Sequence, residues 1–217
     1  LSKGKLLIIS GFSGVGKGTT IGRLMKQNPG KYAFSVSATT RAPRPGELDG
    51  REYFFVTKER FEEMIREDAF LEYAQYTTNY YGTPVAPVMK QLEAGGNVIL
   101  DIEVQGAMNV KARYPEAVTI FMMPPSAEVL FKRLTGRGTE TMEQVLGRMG
   151  RSLEETELVT GYDHFLVNDD LQTAVDELKR LSSDDRIDET ERAKGLEKLA
   201  RVRKELAILL KEQTKEN

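Results

Sequence analysis

Three short apolar runs recur along the chain: Leu6–Ser10, Val98–Ile102 and Val118–Met122. Gly11 closes the first, Asp101 and Glu103 the second, and Pro124-Pro125 the third. Continuous runs of this length suit strands buried on both faces of a parallel sheet. Helical spacing fills the gaps between them. Thr19–Gln27 places Ile21, Leu24 and Met25 on one face before Pro29-Gly30 stops it. Thr83-Pro84 reads as a helix start and Gly95-Gly96 as its stop. Ser126 caps a helix through Leu130 and Leu134, and another carries Val145, Leu146 and Met149. Phe165–Val167 is a last short strand, followed by a helix over Leu171–Leu181. Strands alternating with helices predict an α/β domain built on a mainly parallel sheet core flanked by helices.

Two stretches depart from the alternation. From about residue 35 to 83 the pattern is strand-rich. Phe34–Ser37 and Tyr53–Val56 read as strands on either side of "TTRAPRPGELDGREY", a segment too rich in Pro, Gly and Arg for regular structure. Thr57 caps a helix with Phe61, Met64 and Ile65. In Leu71–Tyr76, Leu71, Tyr73 and Gln75 alternate with Glu72, Ala74 and Tyr76, the period of a strand with two different faces. The second stretch, about 133–151, is arginine-rich around a glycine break. Both fit insertions that close over a ligand at the sheet edge.

The domain therefore spans residues 3–182, and 183–217 form a charged extension. Of the 36 residues from Ser182 to Asn217, nine are acidic and nine basic. Leu199, Val202, Leu206 and Leu209 form a heptad-like stripe, which predicts an amphipathic helix that packs on the domain or on a second subunit of a homo-oligomer.

Composition narrows the chemistry. With 217 residues, 40% apolar and 29% charged, the chain is an ordinary globular one. A net charge of −2 gives no reason to expect nucleic acid, and no apolar run reaches the roughly 20 residues of a membrane span. There is no cysteine, so thiolate nucleophiles, thiolate metal sites and disulfides are excluded. A cytoplasmic location is the default expectation.

The candidate chemistry starts in "GFSGVGKGTT", between the first strand and the first helix. Gly11, Phe12, Ser13, Gly14, Val15, Gly16 and Lys17 follow the phosphate-loop pattern, but Gly18 stands where the pattern wants a hydroxyl and Thr19 comes one residue late. A glycine-rich turn opening a helix points backbone N–H groups at an anion, and Lys17 adds a full charge. Gly18 removes only a metal ligand; magnesium commonly keeps several waters, with Thr19 a further candidate contact. The alternative is a tight turn with no ligand. Arg41, Arg44 and Arg51, with Tyr53 just beyond, form either a solvated basic loop or a second phosphate site, since guanidinium forks match phosphate oxygens.

"FSVSATTRAPRPGELDGREYFFV", "NYYGT", "ILDIEVQG", "GRGTET" and "VNDDL" occur in that order and resemble the guanylate kinases, over about Lys3 to Leu181. The resemblance implies a P-loop NTPase-type core, a strand-rich GMP-binding insertion and a lid. It also implies magnesium-dependent phosphoryl transfer from ATP to GMP, or dGMP. On it, Ser37, Arg41, Arg44, Tyr53 and Tyr81 hold the GMP phosphate, while Glu72, Thr83 and Asp101 read the guanine. Lys17, Arg137 and Arg148 stabilise the transferred group with Arg41 and Arg133 close by, and Asn168 lies near the adenine. Three positions differ from the usual pattern: Phe12 for proline, Glu103 for aspartate, and the extension beyond about Arg186. A carboxylate at Glu72 accepts guanine N1–H and the 2-amino group together, whereas adenine offers no such pair. The sole histidine, His164, reads as structural. Two rivals remain at this stage: a non-catalytic guanylate-kinase-like module that grips phosphopeptides, and a kinase for another nucleoside monophosphate.

Overall fold

The structure, a computed structural model, describes residues 3–136, 138, 140–184 and 186–213. A five-stranded, wholly parallel sheet forms its centre. The strands are β1 (Leu6–Gly11), β2 (Tyr32–Phe34), β7 (Asn97–Asp101), β8 (Val118–Met123) and β9 (His164–Val167), in the order β2-β7-β1-β8-β9. Leu7, Ile8 and Ile9 are fully buried in the middle strand, and Ile99, Leu100, Ile120 and Met122 flank them. Continuous apolar runs work here because helices cover both faces.

A second sheet draws only on residues 37–84. It comprises β3 (Ser37–Thr39), β4 (Tyr53–Phe55), β5 (Phe70–Tyr76) and β6 (Asn79–Pro84), in the order β4-β3-β6-β5. A small core of its own holds it together: Phe61 of α2 (Lys58–Arg66) stacks on Phe70 at 4.4 Å and on Tyr80 at 5.2 Å. The Phe34–Ser37 run is therefore two strands in different sheets. The Ser35 N–H donates to the Ile99 carbonyl at 3.0 Å as the last tie to the central sheet, and Ser37 already pairs with Tyr53.

Two other expectations change. Thr83 does not cap a helix: β6 runs through Pro84, and α3 (Val85–Glu93) begins after it without a side-chain cap. An additional helix, α4 (Val104–Arg113), follows β7 and buries Val104, Ala107 and Val110. Elsewhere the pattern and the structure coincide. Thr57 caps α2, and Ser126 caps α5 (Ala127–Thr135). A capping box between Thr141 and Gln144 starts α6 (Met142–Glu155), which satisfies two orphan donors at once. α7 (Leu171–Ser183) packs against α1 (Lys17–Gln27).

The extension forms α8 (Glu189–Gln213). Leu199, Val202 and Leu206 are buried in the main core and Leu209 packs beside them, so the stripe is covered by the chain's own α5, α6 and β9. Of the two expectations for the stripe, packing on the domain is the one these contacts meet. Glu205 accepts the Ala127 N–H at 3.1 Å, and Arg192 donates to the Tyr162 carbonyl at 2.9 Å. No helix among the described residues is long and apolar enough to cross a membrane.

Candidate active site

The turn after β1 takes its shape from two glycines. Gly14 and Gly16 have φ of +86° and +99°, a region that L side chains rarely enter. A Cβ would also collide with Leu134 at 2.4 Å in the first case and with the Asn168 amide at 2.7 Å in the second. Gly18 differs: a Cβ there meets nothing within 4 Å, so neither backbone nor packing requires glycine. Phe12 is buried and meets Phe121 edge-on at 5.5 Å, and Val15 is buried too. The loop is thus anchored through its apolar residues, with α1 leading away from its open side.

Asn168 and Arg133 brace the loop from beneath. The buried Asn168 amide donates to the Val15 carbonyl at 2.7 Å, while Arg133 donates to the Asn168 carbonyl at 2.8 Å and the Asp169 carbonyl at 3.1 Å. Both side chains are spent on backbone rather than turned to open space. Thr20 is likewise committed, its hydroxyl donating to the Gly16 carbonyl at 3.2 Å.

In front of the loop lies a cleft of about 530 Å³. Gly11, Ser13 and Lys17 form one wall, and Ser37, Tyr53, Glu72 and Tyr81 of the second sheet form the opposite one. Asp101 and Glu103, at the carboxyl end of β7, make the floor. Ligands gather at such strand ends in open α/β sheets. The Lys17 ammonium lies 3.3 Å from the Gly11 carbonyl and 3.8 Å from Asp101. Desolvation pushes the Asp101 carboxyl above its ordinary range, and Lys17 pulls it back. Glu72 has one oxygen fixed by the Thr83 hydroxyl at 2.7 Å. Burial raises its pKa, the bonds from Thr83 oppose that, and Glu103 adds to it.

Arg41 stands beside this wall. Its guanidinium holds both oxygens of Glu47 at 2.9 Å and lies 5.5 Å from the Tyr53 ring. The Arg44 N–H donates to the same Glu47 at 2.7 Å, while its side chain is exposed. Tyr53 and Tyr81 meet edge to face at 6.0 Å.

The third wall comes from α6. Arg148 donates to the Ser13 hydroxyl through two nitrogens at 2.8 and 3.0 Å, and its remaining arm grips Glu140 at 2.6 Å. Ser152 accepts the Ser13 N–H at 3.1 Å. Arg151 and Glu155 also face the cleft. The sequence pattern singles out none of Arg151, Ser152 and Glu155, although Ser152 and Glu155 follow Arg148 by four and seven residues and so share its helical face. Arg137 lies outside the described residues. Thr19 is exposed in the first turn of α1, and His164 sits in β9, where burial lowers its pKa.

A glycine loop between the central strand and its helix, facing a small second sheet across one cleft, defines a P-loop NTPase fold. A family model for guanylate kinase matches residues 3–185. A guanylate kinase of Clostridioides difficile is 48% identical over 186 residues, 86% of this chain and 90% of that one. One from Gloeobacter violaceus is 50% identical over 177 residues, 82% and 86% of the two chains. The crystal structure of guanylate kinase from Anaplasma phagocytophilum aligns with a TM-score of 0.63 at 30% identity, covering 83% of this chain and 85% of that one. The chain belongs to the guanylate kinase family. The family match ends four residues before α8 begins.

Proposed function

We propose that this chain transfers the γ-phosphoryl group of ATP to GMP, giving ADP and GDP. The observation that carries the reading is the Glu72 carboxylate, steadied by Thr83 across the same cleft from Lys17 and the phosphate loop. Phosphoryl transfer asks a protein mainly for in-line placement and charge neutralisation. The second sheet is the GMP-binding insertion, about 35–83, and 133–151 is the lid. Ser37, Arg41, Arg44, Tyr53 and Tyr81 take the GMP phosphate, which replaces Glu47 on the Arg41 fork. Glu72, Thr83 and Asp101 read the base. Gly11 to Thr19 cradle the ATP phosphates, and Lys17, Arg137 and Arg148 neutralise the group in flight. Arg133 and Asn168 act at one remove, by holding the loop in shape. dGMP, which shares the base and the phosphate that these residues would hold, is a second acceptor in the same reading.

The donor set fits magnesium that arrives with ATP. Gly18 offers no side-chain oxygen, Thr20 is committed, and the described residues hold no group of three or more candidate metal ligands. Phosphate oxygens and retained waters, with Asp101 and Glu103 near the cleft floor, suit a hard cation that dehydrates reluctantly. Bound there, magnesium supplies charge neutralisation between the phosphates. ATP and GMP are cytoplasmic metabolites, and the proposal sets the reaction there.

A phosphopeptide module has no use for Lys17 or Arg148, and a kinase for another base has none for the Thr83-steadied Glu72. The test is ADP release with ATP and magnesium, offering GMP, AMP, UMP and dTMP in turn. Turnover confined to GMP supports the reading; equal turnover with AMP overturns it.

A further inference from the structure

Glu72 carries two oxygens, and the structure accounts for the placement of each differently. Oε1 is tied to Thr83 at 2.7 Å. Oε2 has a different neighbour, the first turn of α4, where Gly106 sits. A Cβ built on Gly106 would stand 3.1 Å from Oε2 and 3.5 Å from both Cδ and Cγ of Glu72. The first of these distances is tighter than ordinary carbon–oxygen contact, and contacts fall off steeply once atoms overlap. Because Thr83 pins Oε1, the carboxylate can yield only by turning, and it would turn away from α4 towards the space a base enters.

Gly106 is otherwise a poor choice. It lies inside a helix, where glycine is less favourable than alanine because it loses more backbone freedom on folding. Its φ is not in the left-handed region that would demand glycine. What remains to explain it is the missing side chain.

We propose that Gly106 is a specificity-positioning residue: its bare face sets the plane of the Glu72 carboxylate, and so how strictly the site demands a 2-aminopurine. The inference rests on Glu72 reading the base. Guanine needs both oxygens in its plane, one for N1–H and one for the 2-amino group. Hypoxanthine, which lacks that amino group, needs only one. A tilt of the carboxylate therefore costs GMP more than IMP.

The test compares wild type, Gly106→Ala, Glu72→Gln and a control, Gly22→Ala on α1, where a Cβ meets nothing within 4 Å. KM and kcat for GMP, IMP and ATP are measured beside the melting temperature. Gly106→Ala is expected to lower kcat/KM for GMP about tenfold, the scale of one weakened charged hydrogen bond. The preference for GMP over IMP should shrink by a similar factor, with KM for ATP unchanged and a melting temperature no lower than wild type. Gly22→Ala should leave all kinetic constants unchanged. An unaltered GMP/IMP ratio in Gly106→Ala, while Glu72→Gln erases it, overturns the role of the glycine alone. Parallel losses for ATP and GMP with a lowered melting temperature also overturn it, since they mark a purely structural residue. An unaltered ratio in Glu72→Gln refutes the reading of Glu72 itself, and the glycine proposal falls with it.

Discussion

The Thr83 hydroxyl donates to Glu72 at 2.7 Å across neighbouring strands, so the residue that looks like a helix cap is the one that steadies the carboxylate proposed to read the base. Thr83→Val keeps the shape and removes the donor. It is expected to raise KM for GMP about tenfold or more, in line with about 1.5 kcal/mol for one hydrogen bond to a charged group, and to leave KM for ATP alone. Glu72→Gln goes further, replacing an acceptor by a donor against guanine N1–H or its amino group. Loss of kcat/KM for GMP by about 10²-fold or more, with less than about a threefold change in KM for ATP, is the expected steady-state result.

Glu72 also makes stability depend on pH. Burial raises its folded pKa above the ordinary 4.5, so the native state holds the proton more tightly than the unfolded chain does. Ionising the group then costs stability, a cost that develops as pH rises from 4.5 through the folded pKa and is full above it. Glu72→Gln removes that cost. Melting curves should place the variant above wild type at neutral pH, and the gap should close as pH falls below 4.5. The same raised pKa predicts an acidic limb in kcat/KM for GMP above pH 4.5, absent from the variant.

Arg148 links the α6 wall to the phosphate loop through Ser13 while Glu140 holds its other arm. Arg148→Ala is expected to lower kcat about 10²-fold or more with a small change in KM, because the charge matters most when the phosphoryl group is in flight. Arg148→Lys should recover little of this, since an ammonium cannot hold two partners as a fork does. A large KM effect at unchanged kcat would show instead that the arginine only binds the ground state.

The extension is a structural part of the domain. Leu206 is fully buried against the main core, so Leu206→Ala should cost about 2–5 kcal/mol in denaturant unfolding. A cost below about 0.5 kcal/mol would mean that α8 is not docked in solution.

How much of this the sequence revealed depends on whether local pattern or tertiary partner decides. β1, β7 and β8 are legible because both their faces are buried, and the loop is legible because Gly14 and Gly16 must be glycine. α4 is not, since Val104, Gly106 and Val110 are weak helix formers and only packing holds them. The division between β2 and β3 rests on Ser35 finding Ile99, a partner 64 residues away that no local run announces. The helix-cap reading of Thr83 fails for the same reason: a Thr-Pro pair carries a local capping signal, and pairing with Glu72 across the strands outweighs it. Asn168 and Arg133 stand in the expected sequence context, and their bonds to backbone carbonyls around the loop depend on tertiary partners that no local pattern gives.

The central claim is that one cleft receives a guanine nucleotide monophosphate by its base on the second sheet, opposite a phosphate loop. Isothermal titration of GMP into the nucleotide-free protein, repeated with Glu72→Gln, tests it most directly. The account predicts one GMP bound per chain to the wild type, AMP giving no comparable heat, and binding lost or severely weakened in the variant. Absence of GMP binding to the wild type, or undiminished binding to the variant, would contradict it.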